Sequence, residues 1–192
     1  MINLNLKVNG SSHSLQVEPT MRLVDLLREN FLLTSVKESC GTGECGSCTV
    51  LVNGKAVNSC LVMAAQLDGS EVMTMEYLSS ISAVKKLQNY FIECGAVQCG
   101  YCTPGMIISA LDLLKKTPKP GKEAIKRGLS GNICRCTGYA AIVEAISKYS
   151  QENEIMTAGL NHDPAAALKS PEQGNQLRLR QHKKTRECKS GE

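Results

Sequence analysis

Ten cysteines stand in a chain of 192 residues. Eight of them fall into two groups: Cys40, Cys45, Cys48 and Cys60, then Cys99, Cys102, Cys134 and Cys136. Cys94 and Cys188 are left over. Cysteines at such spacing cross-link, exchange electrons or hold metal, because the thiolate is both a nucleophile and a soft ligand. Compartment decides among these. The chain opens on a strand-like segment, Ile2 to Val8, with no basic n-region or apolar h-region, and it contains no apolar run of transmembrane length. A cytoplasmic protein with no membrane partner is therefore expected. In a reducing pool the thiols stay free, so metal or redox chemistry takes precedence over a disulfide framework.

The first group reads Cys40-x4-Cys45-x2-Cys48, then Cys60 after eleven residues. This is the spacing of plant-type [2Fe-2S] ferredoxins. Two sulfide-bridged irons need four thiolates converging on one small rhomb, so three must come from a single tight loop. Gly41, Gly43 and Gly46 give that loop access to positive φ and let backbone N–H groups point at the sulfurs. Such hydrogen bonds stabilise the charge of the reduced state, for which the plant-type potential is about −400 mV. A four-thiolate zinc site is the competing reading, but zinc favours paired Cys-x2-Cys knuckles.

The second group is less familiar. Cys99-Gly100-Tyr101-Cys102 and Cys134-Arg135-Cys136 match neither a thioredoxin-like redox pair, which needs a βαβ setting, nor a pair of zinc knuckles. Each pair precedes a helical pattern, and the partial positive charge of a helix N-terminus favours thiolates. The residues alone predict a four-thiolate metal site at the end of a helical bundle, with the metal undecided.

The elements that must position these thiols are also legible. Ile2, Leu4, Leu6 and Val8 alternate with polar residues, as in a half-buried strand. Asn9-Gly10 and Asn53-Gly54 are tight-hairpin signals. Thr20 is the expected cap of a helix carrying Leu23, Leu26 and Leu27, and Glu71 to Thr74 forms a last strand. From about residue 80 the period becomes helical: Val84, Leu87 and Phe91 before Gly95; Thr103-Pro104 opening a helix with Ile107, Leu111 and Leu114; Gly121 to Leu129; and Thr137 to Tyr149 with Ile142, Ala145 and Ile146 inward. Beyond about residue 152 the pattern is lost, and the basic run there reads as a solvated tail. The formal charge of +4 counts thiols as neutral, and two oxidised clusters would cancel it. With two Phe, five Tyr and no Trp the chain lacks base-stacking platforms, so nucleic acid is not an expected partner. No Rossmann fingerprint, P-loop, general base or substrate pocket is apparent, and no catalytic residue is assigned.

Two stretches settle the second group by resemblance. Gln98-Cys99-Gly100-Tyr101-Cys102-Thr103-Pro104-Gly105-Met106 and Gly131-Asn132-Ile133-Cys134-Arg135-Cys136-Thr137-Gly138-Tyr139 resemble the signatures of the molybdenum hydroxylases, the xanthine dehydrogenase, aldehyde oxidoreductase and carbon monoxide dehydrogenase type. The likeness covers about residues 1 to 150. It implies an α+β fold: a plant-type ferredoxin-like β-grasp domain at 1–76, then a four-helix bundle [2Fe-2S] domain at 77–152, with 153–192 as a basic tail. It implies a second [2Fe-2S] cluster on Cys99, Cys102, Cys134 and Cys136, with Gln98 and Cys136 against the molybdopterin of a partner. It implies an electron-transfer subunit that relays electrons from a molybdopterin-binding large subunit to FAD on a medium subunit or to an external acceptor, in a dimer of heterotrimers. Ser39 and Ser47 depart from the usual Gly and Ala without touching ligation. A free-standing ferredoxin is disfavoured by the helical half. A structural zinc protein is disfavoured by the first loop. The substrate is not legible.

Overall fold

A computed structural model describes residues 1–152; the expected tail at 153–192, with Cys188, lies outside the described residues. Strands β1 (Ile2–Val8) and β2 (Ser11–Val17) form an antiparallel hairpin in which Leu4, Leu6 and Val8 point into the core. After a helical segment and the first cysteine loop come β3 (Thr49–Val52), β4 (Lys55–Asn58) and β5 (Glu71–Met73). The five strands lie in the order β2-β1-β5-β3-β4, with β5 parallel to β1 and antiparallel to β3. Both Asn-Gly turns adopt the paired left-handed conformations the sequence calls for, φ 52° and 83° at Asn9-Gly10 and 49° and 74° at Asn53-Gly54. Their side chains also grip the short central strand. Asn9 Oδ1 accepts the Thr74 amide at 2.8 Å, and Asn53 Oδ1 accepts the Glu71 amide at 2.9 Å.

The segment after β2 departs from expectation. Thr20 does not cap it. Arg22 is the capping residue, without a side-chain cap, and α1 spans only Leu23–Asp25 before the chain widens into a π turn at Leu26–Asn30. The cause is tertiary: the Leu23 amide is committed to the Val62 carbonyl at 2.7 Å, and the Arg22 guanidinium to Asp25 and Glu38. Leu23, Val24, Leu26 and Leu27 are buried together on the inward face of this segment.

The second half is helical: α2 (Met75–Leu78), α3 (Ser82–Glu93), α4 (Thr103–Lys116), α5 (Lys122–Gly128) and α6 (Ala140–Glu152). α2 is additional to the four expected helices. Gly95 ends the α3 region at φ 65°, and Pro104 lies in the first turn of α4 after Cys102, one position later than predicted. α6 begins three residues later than Thr137, because Gly138 and Tyr139 are left-handed at φ 64° and 67°. Val84, Leu87, Phe91, Met106, Ile107, Ala145 and Ile146 fill this core, and Leu51 of β3 joins it, so the bundle packs on the sheet rather than hanging from it.

At the junction Glu76 accepts the Ser35 amide at 2.8 Å and the hydroxyls of Ser35 and Thr74. Burial alone would raise its carboxyl, but these donors outweigh it and hold the group below the usual range. A depressed carboxylate contributes stability above its unfolded pKa and loses it as pH falls through the folded value. Glu76→Gln is expected to lower stability by about 1 kcal/mol near neutrality. In denaturant titrations the gap between wild type and variant should close as the pH drops below about 4; a gap independent of pH would assign the effect to packing.

Candidate metal centres

Three cysteines of the first group, Cys40, Cys45 and Cys48, occupy a loop between the π turn and β3, and Cys60 follows β4. Cys48 and Cys60 are buried, and Cys40 and Cys45 are half-buried. Gly41, Gly43 and Gly46 all take positive φ, 68°, 81° and 65°. At Gly43 space matters as well: a Cβ there would stand 2.2 Å from Leu61 Cδ1. The loop curls so that the Thr42 and Cys45 amides face Cys40 Sγ at 3.4 and 3.5 Å. Donation by Thr42, hydroxyl and amide, and then by Cys45 brings the Cys40 thiol down to about 6. Cys60 arrives on a separate short turn, fastened to Cys48 by the Ser59 hydroxyl on the Cys48 carbonyl at 2.7 Å. Burial, then the adjacent Cys48 sulfur, pushes the Cys60 thiol up to about 11. Asn58 Nδ2 holds the Gly43 carbonyl at 2.6 Å, and Arg22 joins Asp25 to Glu38 just ahead of Cys40.

The second group closes the end of the bundle. Cys99 and Cys102 precede α4; Cys134 and Cys136 precede α6 by a left-handed turn. Cys136 Sγ approaches Cys99 Sγ at 3.7 Å, and both residues are exposed. Cys102 is half-buried and Cys134 buried. Burial, then its contact with Cys134, pushes the Cys102 thiol up to about 12. Burial would also raise Cys134, but the Thr137 hydroxyl at 3.2 Å and nearby amides outweigh it and the thiol ends below its usual value. Cys136 is raised by Cys99. Gln98 is exposed beside Cys99, within a rim that also exposes Val97, Tyr101 and Ile133.

The chemistry of this donor set fits two clusters. The nine described cysteines are free of disulfides, and eight of them stand in the two groups. In each group hydrogen-bond donors lower one thiol, Cys40 or Cys134, while burial raises another, Cys60 or Cys102, and ligation of either kind would release protons. Among the described residues no group of His, Cys, Asp or Glu meets around a single ion position. The thiolates of a two-iron centre are divided between two metals and need no such common point. Cys94 stands apart, half-buried at the end of α3. A cavity of 570 Å³ between α5 and α6, lined by Lys122, Lys126, Leu129 and Tyr139 among others, has no cysteine in its wall.

The two groups touch. The Ile133 amide donates to the Cys45 carbonyl at 2.9 Å, Asn132 Nδ2 donates to the Gly46 carbonyl at 3.0 Å, and the Tyr101 hydroxyl donates to the Glu38 carbonyl. In the sequence, Tyr101, Asn132 and Ile133 stand only as letters of a signature, Thr137 reads as the start of a helix, and Arg22 and Asn58 carry no signal at all. Nothing in local periodicity marks a side chain whose partner is 86 residues away.

Comparison with known proteins agrees with this geometry. Residues 6–79 match a family described as 2Fe-2S iron-sulfur cluster binding domain, and residues 74–147 match one described as [2Fe-2S] binding domain. The chain is 52% identical over 151 residues to the nicotinate dehydrogenase small FeS subunit of Eubacterium barkeri, covering 79% of this chain and 96% of that one. It is 45% identical over 147 residues to the xanthine dehydrogenase iron-sulfur-binding subunit of Escherichia coli O157:H7, covering 76% and 92%. Among solved structures, a chain of quinoline 2-oxidoreductase from Pseudomonas putida 86 superposes with a TM-score of 0.73 at 38% identity, covering 80% of this chain and 98% of that one. The fold is thus the expected α+β pairing of a ferredoxin-like domain with a helical one, and the chain belongs to the iron–sulfur subunits of the molybdenum hydroxylase family.

Proposed function

We propose that the chain is the electron-transfer subunit of a molybdenum hydroxylase and that each cysteine group holds one [2Fe-2S] cluster: Cys40, Cys45, Cys48 and Cys60 the first, Cys99, Cys102, Cys134 and Cys136 the second. The observation that carries this reading is the contact between the two groups, where the Cys45 carbonyl accepts the amide next to Cys134 at 2.9 Å. Bound clusters would supply one-electron uptake and release. The work of this chain's residues is to hold and bias them. Thr42 and Cys45 donate to Cys40, Thr137 donates to Cys134, and the enclosing core keeps Cys48 and Cys60 from water. Donors on a ligating sulfur favour the more negative state of a site and so raise its potential.

The division at 1–76 and 77–152 belongs to the same reading, as does a location in the cytoplasm. Exposure of Cys99, Cys136 and Gln98 among Val97, Tyr101 and Ile133 supports a docking face at the second site. There a molybdopterin-binding large subunit would bring its cofactor against Gln98 and Cys136. An FAD-binding medium subunit would accept electrons from the first site, and two such heterotrimers would pair. The substrate would be chosen and converted on the large subunit.

Cys48→Ser is expected to remove one reduced-state paramagnetic signal and Cys134→Ser the other, each lowering iron from about four to about two per chain. Loss of both signals in either variant would mean a single shared centre. The partner assignment is tested by affinity purification of the complex through this chain from its own host. Molybdenum and FAD, each near one per copy, are expected to accompany it. A chain that returns with iron but with neither cofactor would contradict the assignment while leaving the clusters standing.

A further inference from the structure

Gly46 is touched by both arms of the second cysteine site. From the arm carrying Cys134 and Cys136, Asn132 Nδ2 reaches the Gly46 carbonyl at 3.0 Å, and a Cβ on Gly46 would fall 2.3 Å from the Gly131 carbonyl oxygen. From the arm carrying Cys99 and Cys102, Gly105 comes so close that a Cβ on it would stand 2.3 Å from the Gly46 oxygen. Gly46 itself lies between Cys45 and Cys48 of the first site and takes φ 65°. One peptide of the first loop is thus enclosed from two sides by the peptides that carry the second.

Asn132 is not needed merely to satisfy that carbonyl. The Gly46 oxygen already accepts the Thr49 amide at 3.2 Å and the Thr49 hydroxyl at 2.7 Å, which uses both lone pairs of a carbonyl. Asn132 is 5% exposed, and its amide spends a buried donor on a third bond to the same oxygen. That bond joins the two halves of the molecule across 86 residues of sequence. The neighbouring backbone bond from Ile133 to the Cys45 carbonyl runs alongside it at 2.9 Å. A rigid pair of hydrogen bonds one residue apart fixes both the distance and the rotation of one loop against the other, which neither bond fixes alone.

We infer that Asn132 is a positioning residue: by gripping the Gly46 carbonyl it locks the register of the second cysteine loop against the first and so sets the spacing of the two metal centres. This rests on the two-cluster reading above. Asn132→Asp keeps the shape, removes the donor and sets a carboxylate oxygen against the Gly46 oxygen. Gly105→Ala keeps the Asn132 donor but sets a Cβ 2.3 Å from the Gly46 oxygen and 3.4 Å from Asn132 Nδ2, so it strains the same contact from the α4 side.

The experiment uses the purified complex, fully reduced, and reads two quantities: the magnetic interaction splitting between the two paramagnetic centres, which falls steeply with their separation, and hydrogen exchange of segments 43–49 and 129–135. Both variants should retain wild-type iron, show a reduced or broadened splitting, and exchange about tenfold faster or more in those two segments. Wild-type splitting and exchange in either variant would overturn the inference. Selective loss of iron from the second site would also overturn it, because Asn132 would then be serving the folding of its own loop. The wild-type sample separates the two layers of the argument: fewer than two signals there defeats the two-cluster reading, whereas two signals that respond to neither variant defeat only the role of Asn132.

Discussion

Four thiolates drawn onto one small site repel each other, and the backbone must supply what water no longer can. The loops that carry the cysteines are shaped by that constraint. Glycines at left-handed φ turn the first loop inward so that amides, and not carbonyls, face Cys40. The second site meets the same requirement differently. There α4 starts directly after Cys102, and Thr137 leaves the helix it was expected to begin in order to donate to Cys134. A hydroxyl and a helix terminus take the place of a glycine-rich loop.

The second consequence is rigidity. A site of four thiols contributed by two segments is only as well defined as the relation between those segments, and each proposed ligand set is built this way. Cys60 is tied to Cys48 through Ser59, and Cys136 stands against Cys99 on the turn ahead of α6, which packs on α3 and α5. The sheet supports the first pair and the bundle the second. Because Leu51 of β3 lies in the helical core, and the Cys45–Gly46 peptide lies in the grip of Asn132 and Ile133, the two supports behave as one body. Cys48, Cys60 and Cys134 are buried, while Cys99 and Cys136 remain at the surface.

Much of this is legible in the sequence where the physics is local. Asn9-Gly10 and Asn53-Gly54 specify their hairpins because both residues must tolerate positive φ, and alternation in Ile2–Val8 specifies the buried face. The first ligand loop can be read chemically, since three of its cysteines and its glycines lie within nine residues. The second group cannot: its spacing leaves the metal open, and only the stretches flanking the cysteines, by their family likeness, decide it. What escapes the sequence is set by distant partners. The π turn after Asp25 follows from the pull of Val62 and Glu38 on the Arg22–Leu23 segment. The late start of α6 is a local exception, set by the left-handed turn at Gly138 and Tyr139. Asn132, an ordinary polar letter between Gly131 and Ile133, acquires meaning only when Gly46 stands against it.

The most direct test is of the claim that both thiol groups hold the same kind of centre. Iron, zinc and acid-labile sulfide should be determined on one sample of the full chain, together with its paramagnetic resonance spectrum after dithionite reduction. Two distinguishable [2Fe-2S] signals, with about four irons and four sulfides per chain and no stoichiometric zinc, is the predicted result. One signal with about two irons and one zinc per chain would contradict the account: the ferredoxin-like half would stand, and the pairing of two electron-carrying sites would not.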